Sequence, residues 1–424
     1  MTLRSVAPVG GTLDLAAIAA IGDRFGEPDW LRSSRTAWWA MTQETPWPSG
    51  AEEEWRRTSL DRLPREAPLL ADPPTMRCAL DPRLADAGVV FSDLRLAVRD
   101  HPDLVCRYLD DAAGALGAGE TAGSHGHFWA LAHAAWTGGT FLYVPPGVEV
   151  DGTLAAHLAQ PGSASTYLPL TLIVAEEGSS VTLLEEIRSD DGESSWYGGV
   201  VDIRAAAGAR VRYASLQALG DEAWYIGAQR VEVGQDATVT TLNAEVGSKI
   251  TKLGLDVRMT GKGSTSKLLG LLAAGDDQHI DINAVQDLAG DHTTSDLLYL
   301  SALYDRARAA FYGVTRVRQG TKQTSSYQEC RNLLLSPEAG AEPIPVLEIE
   351  ANDILRCGHG ATAGAIDPTQ MFYAQTRGLD PDAAERMIVR GFFEQVVGQL
   401  HDETIRERVL GELAHRIGSV EVTA

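Results

Sequence analysis

A mainly β chain with an α-helical part on either side is the fold class predicted here, and three observations predict it. Short β-branched runs bounded by Gly, Asp or Ser recur through the middle of the chain. Four positions that precede comparable runs, Gly178, Gly208, Asp236 and Gly263, lie 30, 28 and 27 residues apart. The flanks instead carry apolar residues at helical spacing, with capping signals.

Residues 1–137 read as the N-terminal helical region. Leu15, Ile18 and Ile21 repeat at helical spacing, as do Trp38, Trp39 and Met41. Phe91 to Leu109 continues the pattern, with Asp93 as an N-cap. Between them, Trp47 to Pro74 is rich in Pro and acidic residues and reads as an extended connector. Trp30, Trp38, Trp39, Trp47 and Trp55 read as rings that pack a helical layer onto its neighbour rather than as a ligand-stacking surface. His125, His127 and His133 have superficially metal-like spacing, but no fourth ligand or catalytic Glu accompanies them, so they read as a helix entering the β-body.

Residues 138–366 form the predicted β-body. Thr140–Val144, Thr171–Val174, Val181–Leu184, Val211–Ala214, Val231–Val233 and Val239–Leu242 are its clearest strands. No helical stretch of βαβ length fits between them, which excludes a doubly wound sheet. A near-constant coil length suggests a β-solenoid. A β-sandwich gives the same alternation, so both stay open on periodicity alone.

Residues 367–424 read as helical again. Asp367-Pro368 and Asp380-Pro381 are two start signals, each an N-cap followed by Pro at the first helical position, and Gly378 is a stop between them. Met387, Ile388, Phe392, Val396 and Leu400 are read as the apolar stripe of the second helix. A last amphipathic segment starts at Thr404.

Composition narrows the function. Lys plus Arg number 36 against 58 Asp plus Glu in 424 residues, a net charge of −22. Such a surface repels phosphate backbones and anionic membranes, so neither nucleic acid nor membrane is an expected partner. No secretory signal or long apolar span is read, and the expected location is cytoplasmic. Cys78, Cys106, Cys330 and Cys357 are scattered without a CxxC pair, which disfavours a disulfide framework or a self-contained four-thiolate site. No G-x-S-x-G, Walker A loop or H-E-x-x-H occurs.

The residues also carry a resemblance. Leu355-Arg356-Cys357-Gly358-His359-Gly360-Ala361-Thr362-Ala363-Gly364, followed by Phe372-Tyr373 and Arg377-Gly378, resembles the C-terminal signature of the SufB/SufD family. Gly138 to Val148 resembles that family's entry to its β-body. Thr294 to Tyr299, Asn332 to Ser336 and Val346 to Ile349 resemble further stretches, and Glu54 to Thr58 resembles its N-terminal W-R-x-T segment. The Cys-x-His-Gly-Ala-Thr run is most similar to the SufD branch. Tyr327 to Cys330 is more similar to SufB, and Leu300 stands where the family usually has Lys.

The resemblance implies a right-handed parallel β-helix between helical ends, which selects the solenoid over the sandwich. It implies a non-catalytic scaffold subunit for iron–sulfur cluster assembly. Its partners would be a SufB-like subunit and a SufC-like ABC ATPase that hydrolyses ATP, with a homodimer possible for the chain alone. His359 and Cys357 become candidate ligands of a transient iron–sulfur cluster shared with the partner. An imidazole and a thiolate two residues apart on a strand share one face, about 7 Å apart, and both bind iron. Met387, Ile388, Phe392 and Val396 become the candidate ATPase-docking surface, with residues 379–424 expected to be dispensable for the β-body. Val346 to Ile366, lacking a polar cap, would be covered by the partner subunit. His279 and His292 are read as solvated histidines in polar turns. A paralogue dedicated to sulfur or cluster delivery in a specialised pathway is the alternative function. A β-helix enzyme acting on polysaccharide is disfavoured, since no carboxylate ladder is seen.

Overall fold

A computed structural model describes residues 13–70, 72–109, 125–160, 164–190 and 192–419. The parts of the two helical expectations that fall on 1–12, 110–124 and 420–424 lie outside the described residues.

The N-terminal layer begins with α1 (Leu15–Phe25), capped by Asp14, whose carboxylate accepts from the Ala17 amide at 2.8 Å, and ended by Gly26 at φ 60°. Helix α2 (Asp29–Glu44) follows. Then come α3 (Pro82–Asp86), β1 (Val90–Asp93), α4 (Leu94–Asp100), α5 (Pro102–Leu109) and α6 (Gly126–Ala135). Asp93 does cap a helix, accepting from the Arg95 amide. Phe91, however, lies in β1 rather than in a helix, because Val90–Asp93 pairs with the edge of the β-body. A buried ion pair, Arg35 to Glu27 at 2.7 Å, links α2 to the preceding turn. Arg35 also donates to the Ala134 carbonyl at 3.0 Å and lies over the Trp136 ring. Trp38, Trp55, Phe128 and Trp136 are buried with these elements, so the tryptophans form core.

The β-body is a parallel solenoid of eight coils, each contributing one strand to each of two sheets. In chain order the coils are β2 (Thr140–Val144) with β3 (Glu149–Gln160), then β5 (Leu170–Ala175) with β6 (Ser180–Ser189), a short β4 (Thr166–Tyr167) lying between. After β7 (Ser195–Tyr197) come β8 (Val200–Ala205) with β9 (Arg210–Ala218), and β10 (Ala223–Val233) with β11 (Thr238–Glu245). The last four are β12 (Ile250–Met259) with β13 (Thr265–Ala274), β14 (His279–Leu288) with β15 (Thr294–Leu303), β16 (Arg308–Val317) with β17 (Lys322–Leu334), and β18 (Gly340–Ile349) with β19 (Asp353–Gly364). The first sheet runs β2-β5-β8-β10-β12-β14-β16-β18 and the second β3-β6-β9-β11-β13-β15-β17-β19.

The period seen in the sequence has a backbone cause. Gly178, Gly208, Asp236 and Gly263 have φ of 67°, 66°, 53° and 72° and occupy the same corner of successive coils. Each amide donates to the corner one coil on: Gly178 to Ala207, Gly208 to Gln235, Asp236 to Lys262 and Gly263 to Asp291. A left-handed corner favours Gly or Asp, so the turn imposes the repeat.

Three apolar layers result. The interior packs inward residues of both sheets, among them Ile173, Val211, Tyr213, Leu268 and Phe311. The N-terminal layer covers the outer face of the first sheet through Leu170, Leu172, Trp196, Trp224 and Ile226. Helices α7 (Pro368–Thr376), α8 (Pro381–Val397) and α9 (Glu403–Ser419) follow the last coil. The last two cover Leu242, Leu269, Leu271 and Leu300 on the outer face of the second sheet. Most strands are therefore buried on both sides, which is why they read as continuous apolar runs.

Candidate functional site

The last coil differs from all the others. Ser326, Gln328, Cys330 and Asn332 alternate inward on β17 and are buried, while Tyr327 and Arg331 face outward. Strand β19 pairs in parallel with β17, placing Cys357 beside Ser326 and His359 beside Gln328. Arg356 lies over the outward Tyr327 ring at 4.3 Å, so the alternate residues Cys357 and His359 turn toward the mouth of the solenoid. Cys357 is half-buried and His359 exposed. Among the described residues no strand lies beyond β18 or β19, so the edge of each sheet is open. Ile349 and Leu355 stand exposed on these two strands, Leu355 at 65%.

The thiols differ in chemistry. Cys330 sits one coil deeper with Asn332 Nδ2 3.6 Å from its sulfur, and burial pushes its pKa up to about 12. It is held as the neutral thiol, a poor metal ligand. Burial raises the Cys357 thiol too, but this residue lies at the open mouth. Among the described residues no three His, Cys, Asp or Glu side chains converge as a metal site. The mouth offers two donor types from this chain.

The C-terminal helices correct the expected stripe. Helix α8 buries Ala384, Val389, Phe393, Val396 and Val397. Met387 is 51% exposed, and Ile388 and Phe392 are half-buried. The buried face lies one residue on from Ile388 and Phe392, because 3.6-residue periodicity allows both stripes and the outer face of the second sheet selects one. Val396 is consequently core and presents no side chain to a partner, whereas Met387 does. Phe372 and Tyr373 on α7 are also exposed, at 67% and 60%. Each fully buried side chain here contributes about 1.5–3 kcal/mol. Removing 379–424 would strip a large apolar face bare, and the truncated chain is expected to lose stability.

The histidines separate clearly. His292 is an exposed turn residue at φ 58°. His279 is not solvated as expected. It begins β14, its Nε2 lies 3.1 Å from Thr58 Oγ1, and burial lowers its pKa. Burial likewise holds His125 and His133 neutral, His133 at about 4, against the Trp55, Trp38 and Trp129 rings. None of these reaches the mouth. The W-R-x-T segment locks the N-terminal layer down: Thr58 donates to Asp281 at 2.6 Å, and Asp281 pairs with Lys252 at 2.7 Å. Both partners are buried, and Lys252 also donates to the Glu54 carbonyl. Spacing did not reveal this pair, because its halves lie on neighbouring strands.

A family model described as "SUF system FeS cluster assembly, SufBD core domain" matches residues 158–392. The chain belongs to the SufBD family. It is 28% identical over 322 residues to an iron–sulfur cluster assembly SufBD family protein of Staphylococcus saprophyticus, covering 76% of this chain and 67% of that one. A protein of the same description from Mycobacterium leprae is 31% identical over 262 residues, 62% of this chain and 30% of that one. A third, from Staphylococcus epidermidis, is 27% identical over 322 residues, 76% of this chain and 67% of that one. The family match takes in the mouth residues and α8 as far as Phe392, so this SufBD chain carries its open coil inside the shared core. Among the described residues no helix is long and apolar enough to cross a membrane.

Proposed function

We propose that this chain is the SufD-like half of an iron–sulfur cluster scaffold, itself without catalytic activity. The supporting observation is the open terminal coil, where His359 and Cys357 stand side by side on a strand with no neighbour beyond it. Two donors leave iron under-coordinated, so a nascent cluster needs further ligands from a second subunit. The same edge that lacks those ligands lacks a strand partner. A SufB-like subunit supplies both in one docking event. The cluster is cargo, and a site split between chains releases it when the chains move apart. A neutral imidazole leaves iron more readily than a further thiolate, which suits His359. A SufC-like ABC ATPase binds the exposed Met387 with the half-buried Ile388 and Phe392 and drives that motion.

The test is anaerobic reconstitution with SufB-like and SufC-like proteins, counting iron and acid-labile sulfide per complex. His359→Ala is expected to keep the complex and lose most cluster. Cys357→Ser is expected to lose less. Met387→Asp is expected to weaken ATPase binding while the β-body stays folded. Full cluster content in His359→Ala would place assembly on the partner alone. A homodimer indifferent to the SufB-like protein would overturn the pairing.

A further inference from the structure

On the outer face of the first sheet, a pocket of about 230 Å³ lies beneath the start of α6 and extends to Glu348 on β18. Its floor is set by strand register. Ala228, Gly254, Asn283 and Tyr312 form one row across β10, β12, β14 and β16. Arg230, Asp256 and Val285 form the row beside it. Ala228 and Gly254 give the pocket its depth. The approach at Gly254 is close, since a Cβ there would meet the His125 ring at 2.5 Å.

Unmet polar atoms gather at this pocket. Asn283 is 5% exposed, and neither its Oδ1 nor its Nδ2 has a hydrogen-bond partner. Buried Trp129 Nε1 and Arg258 Nε, on the same lining, also have no hydrogen-bond partner. Buried polar atoms are rarely left so, and several at one concavity indicate a missing partner. Their chemistry is donor-rich, with one acceptor, the Asn283 oxygen.

The charges narrow the class. Arg316 pairs with Glu348 at 2.6 Å and Arg318 with Asp287 at 2.7 Å, closing one side. Arg230 and Arg258 line the remainder together with Asp256. A phosphate dianion would meet four carboxylates here, those of Glu54, Asp256, Asp287 and Glu348. A purely apolar ligand would leave Asn283 unmet. A molecule with both a carboxylate and an ammonium matches adjacent opposite charges, and the volume limits it to a small one.

We propose that this pocket binds a small zwitterionic α-amino acid. Its carboxylate accepts from Arg258, Trp129 and the Asn283 amide nitrogen, and its ammonium donates to the Asn283 oxygen and Asp256. The proposal does not depend on the scaffold role.

The test titrates the full chain with L-alanine, L-serine and L-lactate, followed by calorimetry and thermal melting. Saturable binding of L-alanine or L-serine at up to millimolar concentration is expected. Asn283→Ala should weaken it at least about tenfold. Val285→Trp, which fills the pocket and leaves Asn283 in place, should abolish it. Should circular dichroism show Asn283→Ala unfolded, Val285→Trp decides alone. Failure of both amino acids to saturate, or binding unchanged by the folded variants, overturns the site. L-lactate binding as tightly as L-alanine overturns the zwitterion.

Discussion

The first and last coils of the solenoid are built from the same repeat and finished in opposite ways. At the first, β1 lies antiparallel along β2, pairing Val90 with Tyr143 and Asp93 with Thr140. Arg77 bridges to His157 on β3. Asp93 is buried and accepts from the Met76 amide at 3.0 Å. At the last, no strand among the described residues lies beyond β18 and β19, and Ile349 and Leu355 face solvent. A parallel coil makes an edge at each end, and only one of these is closed within the described residues. Stability is therefore concentrated in the capped body and its helical covers, while the last coil keeps its strand edges open.

The largest expected effect tests the capped body. Asp281→Ala leaves Lys252 buried without its carboxylate and should cost about 3–5 kcal/mol, read as a fall in the denaturant midpoint. An unchanged midpoint would mean that the N-terminal layer is not locked through this pair. The next concerns the interior. Glu245 is fully buried beside Gln217, and burial raises its pKa from 4.5 to about 8. The native chain then binds a proton that the unfolded chain has lost, so stability falls as pH rises from 4.5 toward 8. The slope approaches about 1.4 kcal/mol per pH unit, and Glu245→Gln should flatten it. A wild type whose melting temperature rises across that window would contradict the assignment.

Smaller effects belong to the open end. Ile349→Lys should change stability by no more than about 0.5 kcal/mol and yet weaken association with a SufB-like subunit, measured by sedimentation. A large loss of stability in the isolated chain would show that this edge is already covered. His359→Ala should be the mildest, leaving the melting curve of the isolated chain where it was, within about 0.5 kcal/mol. Its effect should appear only in cluster content.

Much of this architecture was legible in the residues, for reasons the structure makes plain. The period of the β-body could be read because a left-handed corner restricts residue type, and Gly178, Gly208 and Gly263 announce it. The caps Asp93, Asp367 and Asp380 were legible because an N-cap is a local bond. Cys357 and His359 stood out through their motif, and strand alternation placed them together. What stayed hidden depends on contacts between distant strands. The face of α8 could not be chosen until Leu269 and Leu300 stood beneath it. His279 looked solvated because Thr58, its partner, lies 221 residues away. The pocket around Asn283 draws its floor from four strands, and no window of sequence contains it.

The Thr58–Asp281 bond spans 223 residues, and that separation bears on how the chain is made. A ribosome adding about 5–20 residues per second needs on the order of ten seconds or more to produce the strand that receives the W-R-x-T segment. Trp47, Trp55 and Leu63 leave the exit tunnel well before their docking surface exists. Until β12 and β14 have emerged, the apolar side chains Trp47, Trp55 and Leu63 of this otherwise charged stretch stay uncovered, and a holdase chaperone can bind them. Synthesis from the N-terminus thus delivers the cover before the wall it covers, and the last coil to appear is the one whose strand edges stay open.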